Sequence, residues 1–316
     1  MALETQYRVH KHPGIPQASR RYRARRGLRE PVFAWILVAP TLVLLGVLVV
    51  YPIGKTIVTS FQVTGASGSP SLGMGNYSFA VTDPNFWPAV RNTLVWGVIA
   101  MIVAPTVGLV GAALVEDGPL RYKGLFRFCF FAPYLVSLAA AGVLCVQILE
   151  PRFGLVHAFL SLIGLDRVQV TWLGNPSDVL WIGIILFLWN QTPFCFLVMS
   201  SAIRQIDRDM YDAALIDGAS GVGRFRFITR PVLHSVTRSL RFIMLIAGLT
   251  PFAVLFVLVG SNSETQIVPT LIYNYGAEGT NQGEAGAMSA MFAAFLACLV
   301  LGFGFLVLRR RAPRGS

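Results

Sequence analysis

Residues 210–231 read MYDAALIDGASGVGRFRFITRP, a hydrophilic stretch set between two long apolar runs. Taken back a turn, its apolar residues fall at Ile203, Ile206, Met210, Ala213, Ala214 and Leu215. Spacings of three and four predict an amphipathic helix. Asp207 is placed to cap its start, and Asp209 lies in the first turn, where a carboxylate favours the positive helix end. Asp217-Gly218 stops it, because glycine accepts the left-handed conformation at a helix end. A second short helix is predicted over 221–229, carrying Phe225 and Ile228, and Pro231 sets up the next segment. A helix-turn-helix this small cannot bury its own apolar face, so it needs a surface to sit on.

Outside this stretch the chain is mostly apolar. Of 316 residues, 54% are hydrophobic and 13% charged, where a soluble domain carries about a quarter charged. Six runs hold no Asp, Glu, Lys or Arg: 31–54, 92–115, 128–149, 179–203, 242–263 and 285–308, of 22 to 25 residues each. A membrane-spanning helix needs about 20 apolar residues, so each run is predicted to cross once. The run 56–82 is also uncharged, but its Gly, Ser, Thr and Pro content predicts a loop. The apolar run 153–165 is too short to span and is predicted as an interfacial or protein-packed helix.

With six spans both termini share a side. That side carries 22 of the 26 Lys and Arg; the other has Lys55, Arg91, Arg152 and Arg167. The basic side is expected to be cytoplasmic. Arginine beside anionic lipid accounts for the net charge of +11 better than nucleic-acid binding does. Residues 1–30, with Arg20, Arg21, Arg23, Arg25, Arg26 and Arg29, are expected to form an uncleaved, disordered cytoplasmic tail, since the run that follows is too long for a signal peptide.

Several chemistries lack their residues. Gly54-Lys55-Thr56 resembles the end of a Walker A motif, but its first glycine would stand at Val49. Cys129, Cys145, Cys195 and Cys298 lie inside predicted spans without CxxC spacing, which reads as helix packing rather than metal or disulfide chemistry. His10, His12, His157 and His234 are scattered. Proton-coupled carriers use charged groups inside the membrane, and the six runs offer none. An ion-coupled carrier or channel, with sites made of carbonyls and hydroxyls, stays open as the alternative to an ATP-driven transporter, and a membrane enzyme as a third reading. The same lack of cations disfavours a strongly anionic solute.

The stretch Tyr211-Asp212-Ala213-Ala214, then Asp217-Gly218-Ala219, Phe225, Ile228 and Pro231, resembles the conserved cytoplasmic loop of ABC importer permeases. The family pattern begins Glu-Ala-Ala; Asp212 keeps the charge on a shorter arm. The match runs the length of the chain, through Tyr51-Pro52-Ile53, Gly75-Asn76-Tyr77, Phe86-Trp87, Arg91-Asn92-Thr93-Leu94, Phe131-Ala132-Pro133, Phe153-Gly154-Leu155, Trp172-Leu173-Gly174 and Thr192-Pro193-Phe194. It is closest to the sugar-importer (maltose-transporter-like) group. The departures are Gly260-Ser261-Asn262-Ser263, poorer in glycine than the group's usual turn, and the segment 241–255.

The resemblance implies an all-α membrane protein: six transmembrane helices within 31–311, with a cytoplasmic coupling helix between the fourth and fifth inside a loop at 204–235. It implies that the coupling helix docks on an ATPase subunit through Asp212, Ala213, Ala214, Gly218 and Ala219, with Tyr211 and Asp217 beside them. It also implies a second permease, two copies of an ATP-binding subunit, and an extracytoplasmic solute-binding protein. No cofactor is expected on this chain; ATP and Mg are expected on the ATPase.

A passing solute is expected near the membrane midplane, where proline frees helix carbonyls and polar groups gather. The candidates are Asn190, Gln191, Thr192 and Phe194 around Pro193, Thr250 and Phe252 around Pro251, and Tyr134 and Gln147 in the third run. Amides beside aromatic rings suit a sugar. Small residues at Gly286, Ala290, Ala294, Cys298 and Gly302 form a stripe that faces either a partner permease or the chain's own bundle.

Overall fold

The computed structural model describes residues 29–64, 70–118, 120–164, 172–259, 265–278 and 281–311. The basic tail (1–28), the turn at Gly260-Ser261-Asn262-Ser263 and Arg167 lie outside the described residues. The chain divides into two units, Met1–Lys55 and Thr56–Ser316.

In the first unit, α1 (Arg29–Leu45) passes through a π-helical turn (Gly46–Val50) into α2 (Tyr51–Ser60), whose last residues belong to the second unit. Trp35, Leu44, Leu48 and Tyr51 are all exposed, as suits a helix whose solvent is lipid.

The second unit continues with a two-stranded antiparallel hairpin, β1 (Gln62–Thr64) and β2 (Pro70–Leu72), in which Val63 opposes Ser71. Then come α3 (Gly75–Thr82), α4 (Phe86–Glu116), α5 (Lys123–Phe131), α6 (Leu138–Leu149), α7 (Leu155–Leu162) and α8 (Pro176–Ile203). They are followed by α9 (Arg208–Ile216), α10 (Gly221–Arg224), α11 (Arg230–Val232), α12 (His234–Leu249), α13 (Phe252–Val259), α14 (Val268–Tyr273) and α15 (Gln282–Arg311). The region 56–82, expected as a loop, is thus ordered at both ends. Asn76 organises it by donating from Nδ2 to the carbonyls of Ser60 (3.0 Å) and Gln62 (2.9 Å).

Among the described residues four helices are long and apolar enough to cross a membrane: Trp35–Ser60, Phe86–Glu116, Pro176–Ile203 and Gln282–Phe305. Counting each of two bent pairs as one span raises the number to six. The expected third span is broken: α5 and α6 meet at 90° across a 3-10 turn (Ala132–Leu135). The second bent pair joins Gly221–Val232 to His234–Leu249 at 71°, displaced from the run expected at 242–263. That run is interrupted at Thr250-Pro251, where Pro251 has no N–H to continue the ladder and the Thr250 N–H turns to the Ala247 carbonyl. Pro193, by contrast, is carried inside the continuous α8.

Three apolar clusters hold the second unit together. One joins α4, α8 and α12 around Leu109, Phe196, Met199 and Met244. A second gathers Trp96, Ile184, Phe187, Val254 and Leu255. A third packs α3, α4, α14 and α15 around Ala80, Phe86, Leu271 and Met288. Hydrocarbon gives helices no hydrophobic reason to associate, so close contact at small residues decides the packing. A Cβ on Gly108 would stand 2.7 Å from the Cys195 Cβ and 2.8 Å from the Phe196 nitrogen. A Cβ on Gly183 would meet the Trp96 ring at 2.6 Å. Of the small-residue stripe on α15, Gly286 is closely packed, a Cβ there standing 3.2 Å from the Thr56 oxygen, while Ala294, Cys298 and Gly302 are exposed.

Because backbone cannot yield as a side-chain tip can, Gly108→Ala is expected to force α4 and α8 apart and cost about 1–3 kcal/mol. Gly302→Ala, where a Cβ meets nothing within 4 Å, is expected to be neutral. Thermal unfolding of the two detergent-solubilised variants checks the contrast.

Candidate coupling surface and solute path

The helical hairpin α9–α10 forms as its residues dictate. The Asp207 Oδ1 accepts from the Asp209 N–H at 3.1 Å, capping α9. At the other end Gly218 adopts φ +77°, and the Ala219 N–H returns to the Ala214 carbonyl at 2.8 Å, the six-to-one closure of a glycine-terminated helix. Ser220 then caps α10, its Oγ accepting from the Gly223 N–H at 3.1 Å. A π-helical turn (Phe225–Thr229) leads to α11.

One side of the hairpin packs onto the bundle. Tyr211, Phe225 and Ile228 pack onto the cluster of Leu109, Phe196, Ile203, Ile206 and Leu233. The Tyr211 hydroxyl meets the Thr229 Oγ1 at 2.9 Å, tying the two legs together, and burial pushes the Tyr211 phenol up from its ordinary pKa. Other apolar residues of the hairpin are uncovered among the described residues: Ile216 is 87%, Val222 77% and Phe227 75% exposed, and Met210 and Leu215 are exposed too. Asp212, Ala213, Asp217 and Gly218 are exposed as well, while Ala214 and Ala219 are half-buried. Tyr211 therefore faces the chain's own bundle, unlike the exposed residues grouped with it from sequence.

A charged cluster that the sequence reading missed lies beneath the hairpin. Glu116, at the end of α4, keeps only 7% of its side chain exposed. Arg127 grips it from Nε (3.1 Å) and Nη2 (2.6 Å), Arg204 reaches it at 3.3 Å, and the Ser200 hydroxyl donates to it. Beside it Asp117 has Arg224, Lys123 and Thr229 as neighbours; partial burial pushes its carboxyl pKa up against the opposing pull of those cations. Glu116, Asp117, Lys123, Arg204, Arg208, Tyr211, Asp212 and Arg224 line a cavity of about 400 Å³. One signal was available: two acids at a helix C-terminus oppose the helix dipole, so something elsewhere in the fold has to hold them.

The solute-path candidates separate into groups. Asn190 is buried, and its Nδ2 donates to the carbonyls of Pro133 and Val136, both at 2.9 Å. Its Oδ1 accepts from the Gln191 Nε2 at 2.8 Å. The amide is thus engaged with carbonyls at the break between α5 and α6. Beside that break, Tyr134 stacks with Phe194 (centroids 5.9 Å) and lies tilted against Phe131 (5.5 Å), and Thr192 is buried. At the other break Phe252 lies 5.2 Å from both Phe256 and Tyr273, while the Thr250 hydroxyl donates to the Ile246 carbonyl. Gln147 is exposed.

An Asn190→Ala variant strips the Val136 carbonyl of its side-chain donor and leaves the Pro133 carbonyl with the Val136 N–H alone. Each buried group left unsatisfied costs about 1–3 kcal/mol, so the expected outcome is a lowered unfolding midpoint and faster hydrogen exchange over 132–137. Preserved stability in this variant would leave the amide available to a solute.

Comparison with known proteins bears on the whole chain. The family described as "Binding-protein-dependent transport system inner membrane component" matches residues 14–312. The lactose transport system permease protein LacF of Rhizobium radiobacter is 34% identical over 205 residues, covering 65% of this chain and 68% of that protein. The trehalose/maltose transport system permease protein MalF of Thermococcus litoralis is 28% identical over 285 residues, covering 89% and 94%. The crystal structure of a bacterial ABC transporter involved in the import of the acidic polysaccharide alginate contains a chain that superposes with a TM-score of 0.79 at 22% identity, covering 92% of this chain and 99% of that one. That likeness is one of fold. With the family's pattern running through nearly every described helix, the chain belongs to the inner membrane components of binding-protein-dependent transport systems.

Proposed function

We propose that this multi-pass membrane protein is the permease subunit of an ATP-driven importer for a sugar or sugar-like solute. Family membership sets aside the ion-coupled carrier and membrane-enzyme readings; the chain is a transport subunit and not itself an enzyme. The sugar assignment draws on the relatives named for lactose and for trehalose and maltose.

In this proposal six spans lie within 31–311, the tail 1–30 and both termini are cytoplasmic, and the loop 204–235 reaches a partner ATPase. ATP and Mg bind that partner, and this chain carries no cofactor. The assembly holds a second permease, two ATPase copies and an external solute-binding protein. The last of these is supported by the related alginate transporter, solved in complex with an alginate pentasaccharide-bound periplasmic protein. ATPase closure moves the hairpin, the bundle opens outward to accept the solute, and hydrolysis returns it. Asp212, Ala213, Ala214, Asp217, Gly218 and Ala219 contact the ATPase, while Tyr211 holds the hairpin from behind. Gln191, Thr192, Phe194 and Tyr134 at one helix break, and Thr250 and Phe252 at the other, line the solute's way, with Gln147 near it.

The observation that carries this reading is that Met210, Leu215, Ile216, Val222 and Phe227 stay exposed on a hairpin that already packs onto its own bundle through Tyr211, Phe225 and Ile228. Lipid does not explain it, because Asp209, Asp212 and Asp217 share the surface. A protein cleft lined by apolar and basic groups does. Ile216→Asp and Val222→Asp are expected each to cost about 2 kcal/mol or more of binding, roughly a 30-fold loss. Co-purification of an ATPase with the tagged chain in mild detergent checks this. Equal recovery with wild type and both variants would refute the docking surface.

A further inference from the structure

The acidic pair at the end of α4 stands where three helix ends meet the hairpin. Glu116 receives Arg127 from the middle of α5, Ser200 and Arg204 from the end of α8, and the Lys123 ammonium on its backbone carbonyl at 2.6 Å. Asp117 shares the lining of one cavity with Arg224 on the second leg of the hairpin and Tyr211 on the first, and Thr229 ties Tyr211 to the second leg. Apolar packing alone would let these ends slide. A buried carboxylate in a two-toothed grip by one guanidinium, with a second guanidinium and a hydroxyl on the same oxygen, fixes both distance and angle. Arg127 also lies one helical turn before the break at 132–137, so a displacement of α5 at this point becomes a rotation about that bend.

We propose that Glu116 and Asp117 are positioning residues that form the joint passing motion of the hairpin into the bundle: Asp117 takes it from the hairpin, and Glu116 hands it to α5 and α8. The proposal rests on the reading of the hairpin as the ATPase contact. It gives these charges a task that apolar residues of equal size could not perform, since a salt bridge between helix ends transmits a pull as well as a push.

The test follows hydrogen exchange in the assembled complex, with and without ATP and vanadate, for wild type, Glu116→Gln, Asp117→Asn, Arg127→Gln and Glu116→Asp. In wild type, nucleotide is expected to change exchange both in the hairpin (208–232) and at the break (132–137). Glu116→Gln and Arg127→Gln are expected to keep the hairpin response while that at the break falls about fivefold or more. Asp117→Asn is expected to do the same. Glu116→Asp, which keeps the charge, is expected to restore most of the response. An unchanged response at the break in Glu116→Gln overturns the joint. So does loss of the hairpin response together with the ATPase, which would make the pair merely structural. A wild-type complex whose hairpin ignores nucleotide would instead sink the coupling reading itself, and this proposal with it.

Discussion

A carbonyl buried in hydrocarbon has no water to turn to. Much of this structure answers that constraint. Unbroken helices such as α4 and α8 satisfy their own backbone except around Pro105 and Pro193. The places where the chain departs from helix, at 132–137 and at Thr250-Pro251, free backbone groups that something must meet. At the first the Asn190 side chain crosses from α8 to take two carbonyls. At the second the Thr250 N–H turns to the Ala247 carbonyl and its hydroxyl to the Ile246 carbonyl. A break within a membrane bundle is therefore a built element.

Close approach supplies the rest of the framework. Gly108 lets α4 meet the backbone of α8, and Gly183 receives the Trp96 ring. Without a hydrophobic drive between helices in lipid, these contacts decide which faces meet. The cluster around Leu109, Phe196 and Met199 then extends under the hairpin, so the most hydrophilic part of the described chain rests on the same core as the spans.

The charged residues complete that support. Local rules place Glu116 and Asp117 badly, at the negative end of a long helix, and the fold compensates with Arg127, Arg204, Lys123 and Arg224. A violation of local preference matched by tertiary neighbours marks a position chosen for something other than helix stability. The hairpin above it shows no such conflict: cap, glycine stop and second cap agree with one another.

The sequence by itself determined the apolar runs, the hairpin with its Asp207 cap and Gly218 stop, and the family, because these depend on composition, periodicity and local hydrogen bonding. It also marked the prolines and polar groups at 133, 193 and 251. Only the tertiary structure decided what they do. Pro193 stays within a helix while Pro133 and Pro251 accompany breaks, and at the first break a side chain from another helix meets the carbonyls. Asn190 became a brace because the break it serves lies 54 to 57 residues earlier in the chain. The Glu116 cluster stayed hidden for the same reason: its members are 11 and 88 residues apart. Contacts across such distances follow from how helices pack, which no local pattern records.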